Sequence, residues 1–406
     1  MSNNTITRRD LLAGAGAAFA FTVVSPQVAR TYAANSKVKF GLLGCGGRGT
    51  WIADLFVKNG GYEMFACYDY FQDRVDAVGE KFNVPAERRF TTLSGYKKLL
   101  DCGVDAVAIE SPPYFHPIQA AAAVEAGKHT YVAKPIAVDV PGCKTIEQSG
   151  KKATEKKLAF QIDFQTRANE FYIEALKRVH AGAIGDFAFG ESTYHADIPW
   201  GGHMEALAKD PNNPETQLRA WGMSQELSGD IITEQNIHTL DVMNWILQAP
   251  PLRAWGTGAR KVRPIGSCYD TFTITYEYAN NVGVAFSSRQ FPGYDTQPEG
   301  IRNRMFGTQG VLEAEYGGQV LIRGKNFYRG GQTGSIYQDG AVNNIATFHK
   351  SITEGKFDNP TVAPSVQSNM ITILGRTAAY EKRVVAWDEL IKSTKVMEPN
   401  FKGLKP

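Results

Sequence analysis

The 406-residue sequence lacks several features that define other classes of protein. Its five cysteines are an odd number, widely spaced and without a C-x-x-C pair: Cys45, Cys67, Cys102, Cys143 and Cys268. Neither a disulfide framework nor a cysteine-based zinc site is therefore predicted. A charge excess is also missing, since 44 lysines and arginines face 41 aspartates and glutamates. This balance argues against nucleic acid or an anionic membrane as a partner.

The apolar stretch near the N-terminus, Ala13 to Val24, is too short and too rich in glycine and alanine for a stable membrane span. A twin-arginine pattern precedes it (Thr7-Arg8-Arg9-Asp10-Leu11-Leu12), and Thr31-Tyr32-Ala33-Ala34 matches a cleavage site. We therefore predict that residues 1–34 are a twin-arginine signal peptide and that the protein is exported, to the periplasm or beyond. A disordered basic tail is the alternative. Because twin-arginine export carries folded proteins, a cofactor acquired in the cytoplasm can travel with the chain.

A glycine-rich turn follows the first strand pattern of the remaining chain. Val38 to Leu43 is strand-forming, Gly44-Cys45-Gly46-Gly47-Arg48-Gly49 comes next, and a helical pattern runs from Trp51 to Val57. In this context G-x-G-x-x-G predicts a dinucleotide site. The first glycine allows the tight turn, the second lets a pyrophosphate approach, and the third lets helix and strand pack closely. The helix N-terminus then attracts the negative charge.

An acidic residue ends the second strand pattern and completes this motif. Tyr62 to Tyr68 reads as a buried strand, and Asp69 follows it. A carboxylate about 20 residues beyond the glycines accepts hydrogen bonds from the adenosine ribose and repels a 2′-phosphate. The predicted cofactor is therefore NAD rather than NADP. An ordinary glycine turn followed by an unrelated aspartate is the alternative.

Strand and helix signals alternate from residue 37 to about 159, which predicts an α/β domain with a parallel sheet. We assign residues 36–159 to an NAD-binding Rossmann domain. Two strand ends lie at the ligand-binding edge of such a sheet. One carries Ser111-Pro112-Pro113-Tyr114-Phe115-His116 and the other carries Lys134-Pro135. Residues 160–406 form a second, α+β domain, in which Thr271 to Tyr278 and Val282 to Phe291 flank the hairpin signal Asn280-Asn281.

These motifs together resemble the glucose–fructose oxidoreductase, inositol dehydrogenase and MocA (Gfo/Idh/MocA) family. The likeness rests on the glycine turn, Ser111-Pro112-Pro113-x-x-His116, Ala126-Gly127-Lys128-His129 and Lys134-Pro135. It implies a large, open, mostly antiparallel sheet in the second domain, often used for homo-oligomer contacts. Besides the glycines and Asp69, the predicted cofactor contacts are Cys45, Arg48, Ser111, Pro112, His116 and Lys134. Family members typically carry Glu-Lys-Pro where this chain has Ala133-Lys134-Pro135, so a glutamate that often holds the nicotinamide ribose is missing.

The predicted catalytic groups come from both domains. Thr233 is expected to cap a helix running to about Gln248, which places Glu234, His238 and Asp241 on neighbouring positions. The resemblance makes His238 the base that takes a hydroxyl proton, and Lys134 the cation beside the same oxygen. Glu234 stands where the family usually has aspartate, and Asn236 where it usually has glycine. Glu234 is expected to orient or charge-balance the imidazole of His238. No spacing supplies a third ligand, so no metal site is predicted.

The substrate contacts are predicted less directly. Residues 199–223 read as a polar, irregular segment whose aromatic faces suit a sugar, although an insertion packed for stability or subunit contact explains it equally well. The candidates are Arg167, Tyr194, His195, Trp200, His203, Trp221 and Asp241.

The leading expectation is an exported, NAD-dependent oxidoreductase that acts on a carbohydrate or polyol hydroxyl. A second is a glycoside hydrolase that uses NAD through a transient 3-keto intermediate and recycles it in place. The third is a nucleotide-stabilised binding protein without chemistry, and the presence of Lys134 and His238 argues against it.

Overall fold

A computed structural model describes residues 37–197 and 201–406. The predicted signal peptide and the candidate Trp200 lie outside the described residues. Of the helices in the described part of the chain, none has both the length and the apolar character that crossing a bilayer requires.

The N-terminal part is a six-stranded parallel sheet, as the alternating pattern predicts. Its order, β3-β2-β1-β4-β5-β6, is that of a doubly wound dinucleotide-binding fold. The strands are β1 (Val38–Leu43), β2 (Tyr62–Tyr68), β3 (Arg89–Phe90), β4 (Ala106–Ile109), β5 (His129–Ala133) and β6 (Phe160–Asp163). The helices are α1 (Gly47–Asn59), α2 (Gln72–Lys81), α3 (Gly95–Asp101), α4 (His116–Glu125) and α5 (Val140–Glu155). The central strands are apolar throughout because helices cover both faces of the sheet.

The C-terminal part contains a nine-stranded sheet in the order β14-β13-β12-β11-β7-β10-β9-β8-β15. Its strands are β7 (Phe187–Ala196), β8 (Arg253–Ala259), β9 (Thr271–Glu277), β10 (Gly283–Gln290), β11 (Gly300–Gly307), β12 (Gly310–Tyr316), β13 (Gln319–Gly324), β14 (Tyr328–Gln332) and β15 (Val385–Ala386). Every pair is antiparallel except β7 with β10. The predicted hairpin between β9 and β10 is confirmed, and both of its asparagines have positive φ.

Nine helices accompany this sheet in the described chain. They are α6 (Glu170–His180), α7 (Gly201–Lys209), α8 (Pro214–Arg219), α9 (Gln225–Ser228), α10 (Ile231–Glu234), α11 (Ile237–Leu247), α12 (Ile336–Glu354), α13 (Val362–Glu381) and α14 (Trp387–Leu390). Helices α6, α11 and α13 pack on one face of the sheet. Helix α12 packs on α1, and α13 also packs on α5. Both sheets therefore share one continuous apolar core.

The first sheet extends beyond the predicted domain boundary at residue 160. Strand β6 (Phe160–Asp163) pairs in parallel with β5, so it belongs to the nucleotide-binding sheet. The strand pattern there is only four residues long, and its sheet membership depends on a partner some thirty residues earlier.

Two local predictions are wrong in detail. Most of the segment 199–223 is helical (α7 and α8), where the polar composition suggested an irregular loop. Thr233 does not cap the helix that carries His238, because α10 and α11 are separate helices. The cap of α10 is Asp230, whose carboxylate accepts the N–H of Ile231, while the Thr233 hydroxyl accepts a hydrogen bond from Thr372.

Candidate functional site

The glycine turn has the geometry that a dinucleotide needs. Gly44 has φ +101°, and a side chain there would lie 2.5 Å from the Ser111 nitrogen. A Cβ at Gly49 would lie 1.9 Å from the Gly44 oxygen, so this glycine is required for close packing of α1 on β1. Gly46 and Gly47, in contrast, face open space. The turn is thus open only where a pyrophosphate would approach the N-terminus of α1, which has no side-chain cap.

Asp69 follows β2 and contacts the glycine turn on the side where the adenosine of NAD would bind. Its carboxylate accepts N–H bonds from Cys45 (2.8 Å) and Phe71 (3.1 Å), and the Arg74 guanidinium is 3.9 Å away. Burial raises the pKa of Asp69, and Arg74 opposes that rise. A pocket beside it is lined by Gly44, Tyr68, Asp69, Tyr70, Phe71, Arg74, Leu93, Ser111, Pro112, Phe115, Gln119 and Leu218. These residues fit an adenosine, with a carboxylate for the ribose and apolar walls for the base.

Replacing Asp69 with alanine is expected to weaken NAD binding by about tenfold or more and to narrow the preference over NADP. The ribose loses its acceptor, and Arg74 becomes free to meet a 2′-phosphate. Titrations of both nucleotides measure the effect. Asp69→Asn is the matched control, because it keeps an acceptor for the Cys45 N–H while removing the charge. An unchanged ratio of NAD to NADP affinity in both variants would contradict the assignment.

Ser111, Pro112 and His116 follow β4, and the His116 ring connects this segment to the end of β5. The His116 ring nitrogens lie 2.6 Å from the Ser111 carbonyl oxygen and 2.8 Å from that of Pro135. Burial lowers the pKa of His116 to about 4, so the ring is neutral at pH 7 and donates to one carbonyl at a time. Ser111 donates its hydroxyl to Gln119 (2.6 Å). His116 therefore fixes the backbone next to Lys134, and Ser111 and Pro112 line the adenosine pocket.

Arg48 is held by two buried carboxylates. Its Nε lies 3.0 Å from Glu110 and its Nη2 lies 2.5 Å from Asp163, while Nη1 donates to the hydroxyl of Tyr337 (2.8 Å). The two carboxylate side chains are fully buried, and the Arg48 side chain is 26% exposed. Burial raises the pKa of Glu110 to about 7, against the lowering effect of Arg48. This ion cluster ties the glycine turn to the sheet edge.

Ala133 lies between these two carboxylates. It pairs with Asp163 on β6, and Ile109 pairs with Val132, so Glu110, the residue after β4, is opposite Ala133. Laterally neighbouring residues of a parallel sheet point to the same face. The position where the family usually has glutamate is therefore flanked on both sides by acids, and the single guanidinium of Arg48 contacts both of them.

Introducing glutamate at Ala133 is expected to lower the free energy of unfolding by about 3 kcal/mol, because it buries a third carboxylate beside a single guanidinium. Urea unfolding measures the change. Adding Glu110→Ala to that variant restores the original number of acids and should recover most of the loss. The prediction is contradicted if Ala133→Glu alone is as stable as the natural chain.

Lys134 and Glu234 meet across the two parts of the chain. The Lys134 ammonium donates to the Glu234 carbonyl oxygen (2.7 Å) and lies 3.4 Å from the carboxylate Oε1. Both side chains are nearly buried, at 8% and 12% exposure. Burial lowers the pKa of Lys134, and the charge of Glu234 opposes this. Glu234 therefore contacts Lys134, whereas the sequence predicted that it would orient or charge-balance the imidazole of His238.

His238 is 7% exposed at the start of α11, and its ring lies 5.2 Å from the ring of Tyr316. Burial, followed by the positive charges of Lys134 and Arg48, holds the pKa of His238 well below the usual 6.5. The ring is therefore neutral at pH 7 and able to accept a proton. Its Nδ1 has no hydrogen-bond partner among the described residues.

Several of the buried polar atoms without a hydrogen-bond partner belong to this histidine and to residues near it in sequence or in contact with its ring. Buried side-chain atoms without a partner in the described chain occur on Glu234 (Oε2), Asn236 (both amide atoms), His238 (Nδ1) and Tyr316 (the hydroxyl). A buried polar atom left unpaired costs about 1–3 kcal/mol, so native structures rarely collect them without a ligand. The group suits a ligand with several hydroxyls.

Sequence reasoning missed Tyr316, Glu110 and Asp163 as parts of this site. Tyr316 ends a strand of the second sheet, and no local pattern marks it. Glu110 follows one apolar strand of the first sheet and Asp163 ends another, positions that could have identified them as groups at the ligand-binding edge.

Two predicted substrate residues form a buried ion pair. Arg167 donates to both Asp241 oxygens at 2.8–3.0 Å, and the hydroxyl of Ser368 donates to the same carboxylate (2.6 Å). Asp241 is fully buried, while the Arg167 side chain keeps 17% exposure. These contacts join the turn that precedes α6 to α11 and α13.

The other candidates divide between two places. Burial raises the pKa of Tyr194, and the nearby negative charge of Glu234 raises it further. His195 hydrogen-bonds to the Pro298 carbonyl (2.8 Å) and to Ser287 (3.0 Å).

His203 and Trp221 lie towards the adenosine end. Burial and then the charge of Arg74 lower the pKa of His203, and Trp221 packs in the cluster of Phe71. Substrate contact by these residues stays a prediction. The described residues contain no group of three or more metal-binding side chains.

Comparisons with known proteins identify the same two parts. Residues 38–163 match a model of an oxidoreductase family with an NAD-binding Rossmann fold, and residues 172–313 match the GFO/IDH/MocA C-terminal domain. Inositol 2-dehydrogenase of Rhizobium meliloti is 23% identical over 364 residues, which cover 86% of this chain and 99% of that protein. Alpha-N-acetylgalactosaminidase of Shewanella oneidensis is 30% identical over 169 residues, only 40% of this chain and 36% of that protein.

A solved structure supports the fold. The scyllo-inositol dehydrogenase of Lactobacillus casei, with bound NAD(H) and scyllo-inositol, has a TM-score of 0.67 at 19% identity, covering 88% of this chain and 100% of that one. Both family models describe one family and together span more than half of the chain. The protein therefore belongs to the Gfo/Idh/MocA family of NAD-binding oxidoreductases.

Proposed function

We propose that the protein oxidises a CH–OH group of a polyol or carbohydrate, with NAD as the hydride acceptor. The observation that carries this proposal is the group of unpartnered polar atoms on Glu234, Asn236 and His238, beside the ammonium of Lys134. Several hydroxyls on one small molecule would satisfy these atoms together. The inositol dehydrogenases that this chain resembles act on such a molecule.

The chain's own residues divide the proton chemistry between them. NAD, when bound, takes the hydride from the carbon. Lys134 donates a hydrogen bond to the substrate oxygen and stabilises its developing negative charge. His238, neutral and with a free Nδ1, takes the hydroxyl proton, so a C=O bond replaces C–H and O–H. Glu234 balances the charge of Lys134.

A panel of inositols, alditols and aldoses incubated with the protein and added NAD tests this function. Net formation of reduced nicotinamide, measured by its absorbance, supports a dehydrogenase. Enzyme lacking the Lys134 amine serves as the blank. If no compound of the panel produces reduced nicotinamide or any other product, the protein is a nucleotide-stabilised binding protein and the proposal fails.

A second candidate is a glycoside hydrolase that recycles its cofactor. It is favoured by the likeness of part of this chain to an alpha-N-acetylgalactosaminidase. Oxidation of the C3 hydroxyl to a ketone acidifies the neighbouring C–H, which permits elimination of the aglycone. Water then adds, and the hydride returns to C3. Chromogenic glycosides distinguish the two activities, since released aglycone without net reduced nicotinamide means hydrolase.

We also propose that the protein is exported in its folded form. The support is the twin-arginine pattern of residues 8 and 9 together with a cofactor that is made in the cytoplasm. Protein recovered from a periplasmic fraction should contain NAD, which mass spectrometry of heat-released ligand detects. Replacing Arg8 and Arg9 with lysine should keep the protein in the cytoplasm. Well-folded periplasmic protein without nucleotide would remove this support.

A homo-oligomer through the second sheet is a further proposal. The face that α6, α11 and α13 leave uncovered carries Phe189 and Trp255, which are 43% and 37% exposed. The rings of Phe189 and Phe306 stack there, with centroids 4.5 Å apart. Light scattering should give an oligomer mass for the natural chain and a smaller mass for Phe189→Glu. A monomer mass for both proteins would refute the proposed oligomer.

A further inference from the structure

The C-terminal tail, residues 392–406 after α14, contains neither helix nor strand yet follows a defined path. Met397 donates its N–H to Asp139 at the start of α5 (2.9 Å). Beyond it, Phe401 and Leu404 are partly buried in a small apolar cluster around Phe71. This cluster is separate from the continuous core of the two sheets.

The tail contacts three walls of the adenosine pocket. Lys405 donates its N–H to the hydroxyl of Tyr70 (3.1 Å), and its carbonyl accepts the N–H of Leu93 (3.1 Å). The ring of Phe401 stacks on Phe115 with centroids 5.6 Å apart. Tyr70, Leu93 and Phe115 all line the pocket beside Asp69. The tail therefore contacts three loops of the nucleotide-binding sheet, those that follow β2, β3 and β4.

Helix α8 holds the same pocket from another side. Leu218 lines the pocket and is buried in the Phe71 cluster. Glu215, on the same helix, accepts a hydrogen bond from the hydroxyl of Tyr70 (2.9 Å). The Tyr70 hydroxyl therefore joins three segments that are far apart in sequence: the loop after β2, helix α8 and the tail.

We propose that the tail and helix α8 form a clasp that retains NAD by holding the walls of the adenosine pocket together. Release of the nucleotide requires these walls to separate, and the clasp contacts must then break first. Since the clasp has its own small cluster, it can open without unfolding the main core. Its effect falls mainly on the dissociation rate. The proposal rests on NAD binding alone and not on the identity of the sugar.

The dissociation rate of reduced nicotinamide tests the clasp, followed by fluorescence after mixing the loaded protein with excess NAD. Phe401→Ala is expected to raise that rate by about tenfold, because it removes ring contacts with both Tyr114 and Phe115. A chain ending at Glu398 should release faster still. Tyr70→Phe keeps the ring in the pocket wall but removes the joining hydroxyl, and should also speed release. Lys402→Ala, an exposed position on the same tail, is the matched control and should release like the natural chain.

Equal dissociation rates for Phe401→Ala, Tyr70→Phe and the natural chain would overturn the proposal, and so would an equal increase in the Lys402→Ala control. If the shortened chain does not fold, the two point variants decide the question. No substrate is present in these measurements, so failure of the clasp and failure of the proposed oxidation are seen separately.

Discussion

Replacing His238 with alanine is expected to lower turnover by about 10²–10⁴, the usual value of a positioned acid–base group, while NAD binding stays intact. The reason is the placement of the histidine: its Nδ1, like atoms of Glu234 and Asn236, has no partner in the described chain, and the glycine turn is on another element. Steady-state kinetics with the best compound of the panel, together with an NAD titration of the same protein, measures both quantities.

His238→Gln is the matched variant, because it keeps a buried polar side chain but cannot accept the proton. Both variants should lose turnover to a similar extent. A structural histidine would behave differently, with a lower melting temperature, lost cofactor and only secondary effects on rate. Turnover within a few-fold of the natural enzyme would show that His238 is not the base, and Tyr194, His195 or Lys134 would be the next residues to replace.

Replacing Lys134 with methionine is expected to lower kcat by about 10²–10³, the typical effect of removing one donor to a developing oxyanion. The ammonium is nearly buried and held by the Glu234 carbonyl, so it is already placed before substrate arrives. Methionine has a similar length and no charge. Lys134→Arg is the control that keeps the charge. A methionine variant with nearly full kcat would exclude Lys134 from the chemical step.

The same pair of variants gives a pH signature. Only neutral His238 can accept the proton, and burial and the charges of Lys134 and Arg48 hold its pKa well below 6.5. As pH falls, kcat/KM of the natural enzyme should therefore persist below pH 6.5 before it declines. Without the Lys134 charge the histidine pKa rises towards 6.5, so the decline in Lys134→Met should begin at higher pH. Lys134→Arg should decline where the natural enzyme does, and identical profiles for all three proteins would contradict the coupling.

Glu234 lies beside Lys134, where its charge bears on the ammonium. A protonated imidazole beside the Lys134 ammonium is unfavourable, because two like charges are then buried together. The Glu234 carboxylate, 3.4 Å from Lys134, offsets one of them. The carboxylate thus contacts the lysine rather than the histidine, although sequence spacing alone suggested the histidine.

The nucleotide-binding half was predictable because its signals are local. A glycine at φ +101° and another whose Cβ would strike the Gly44 oxygen leave no other residue possible, and such constraints act within a few neighbouring residues. The parallel sheet likewise follows from short apolar strands alternating with helices. The family resemblance then supplied Lys134 and His238 as candidates, and their placement in the structure agrees with a shared site.

The sequence by itself determined the glycine turn, Asp69 at the end of β2, the parallel sheet of the Rossmann domain and the hairpin at Asn280-Asn281. Only the tertiary structure decided that Glu110 and Asp163 flank Ala133 and hold Arg48, that Arg167 pairs with Asp241, and that the C-terminal tail reaches the adenosine pocket. The physical reason is distance along the chain. Turns and strand patterns depend on neighbouring residues, whereas ion pairs and tail contacts join side chains that lie tens to hundreds of residues apart. Such contacts depend on how the two sheets pack, which no local pattern encodes.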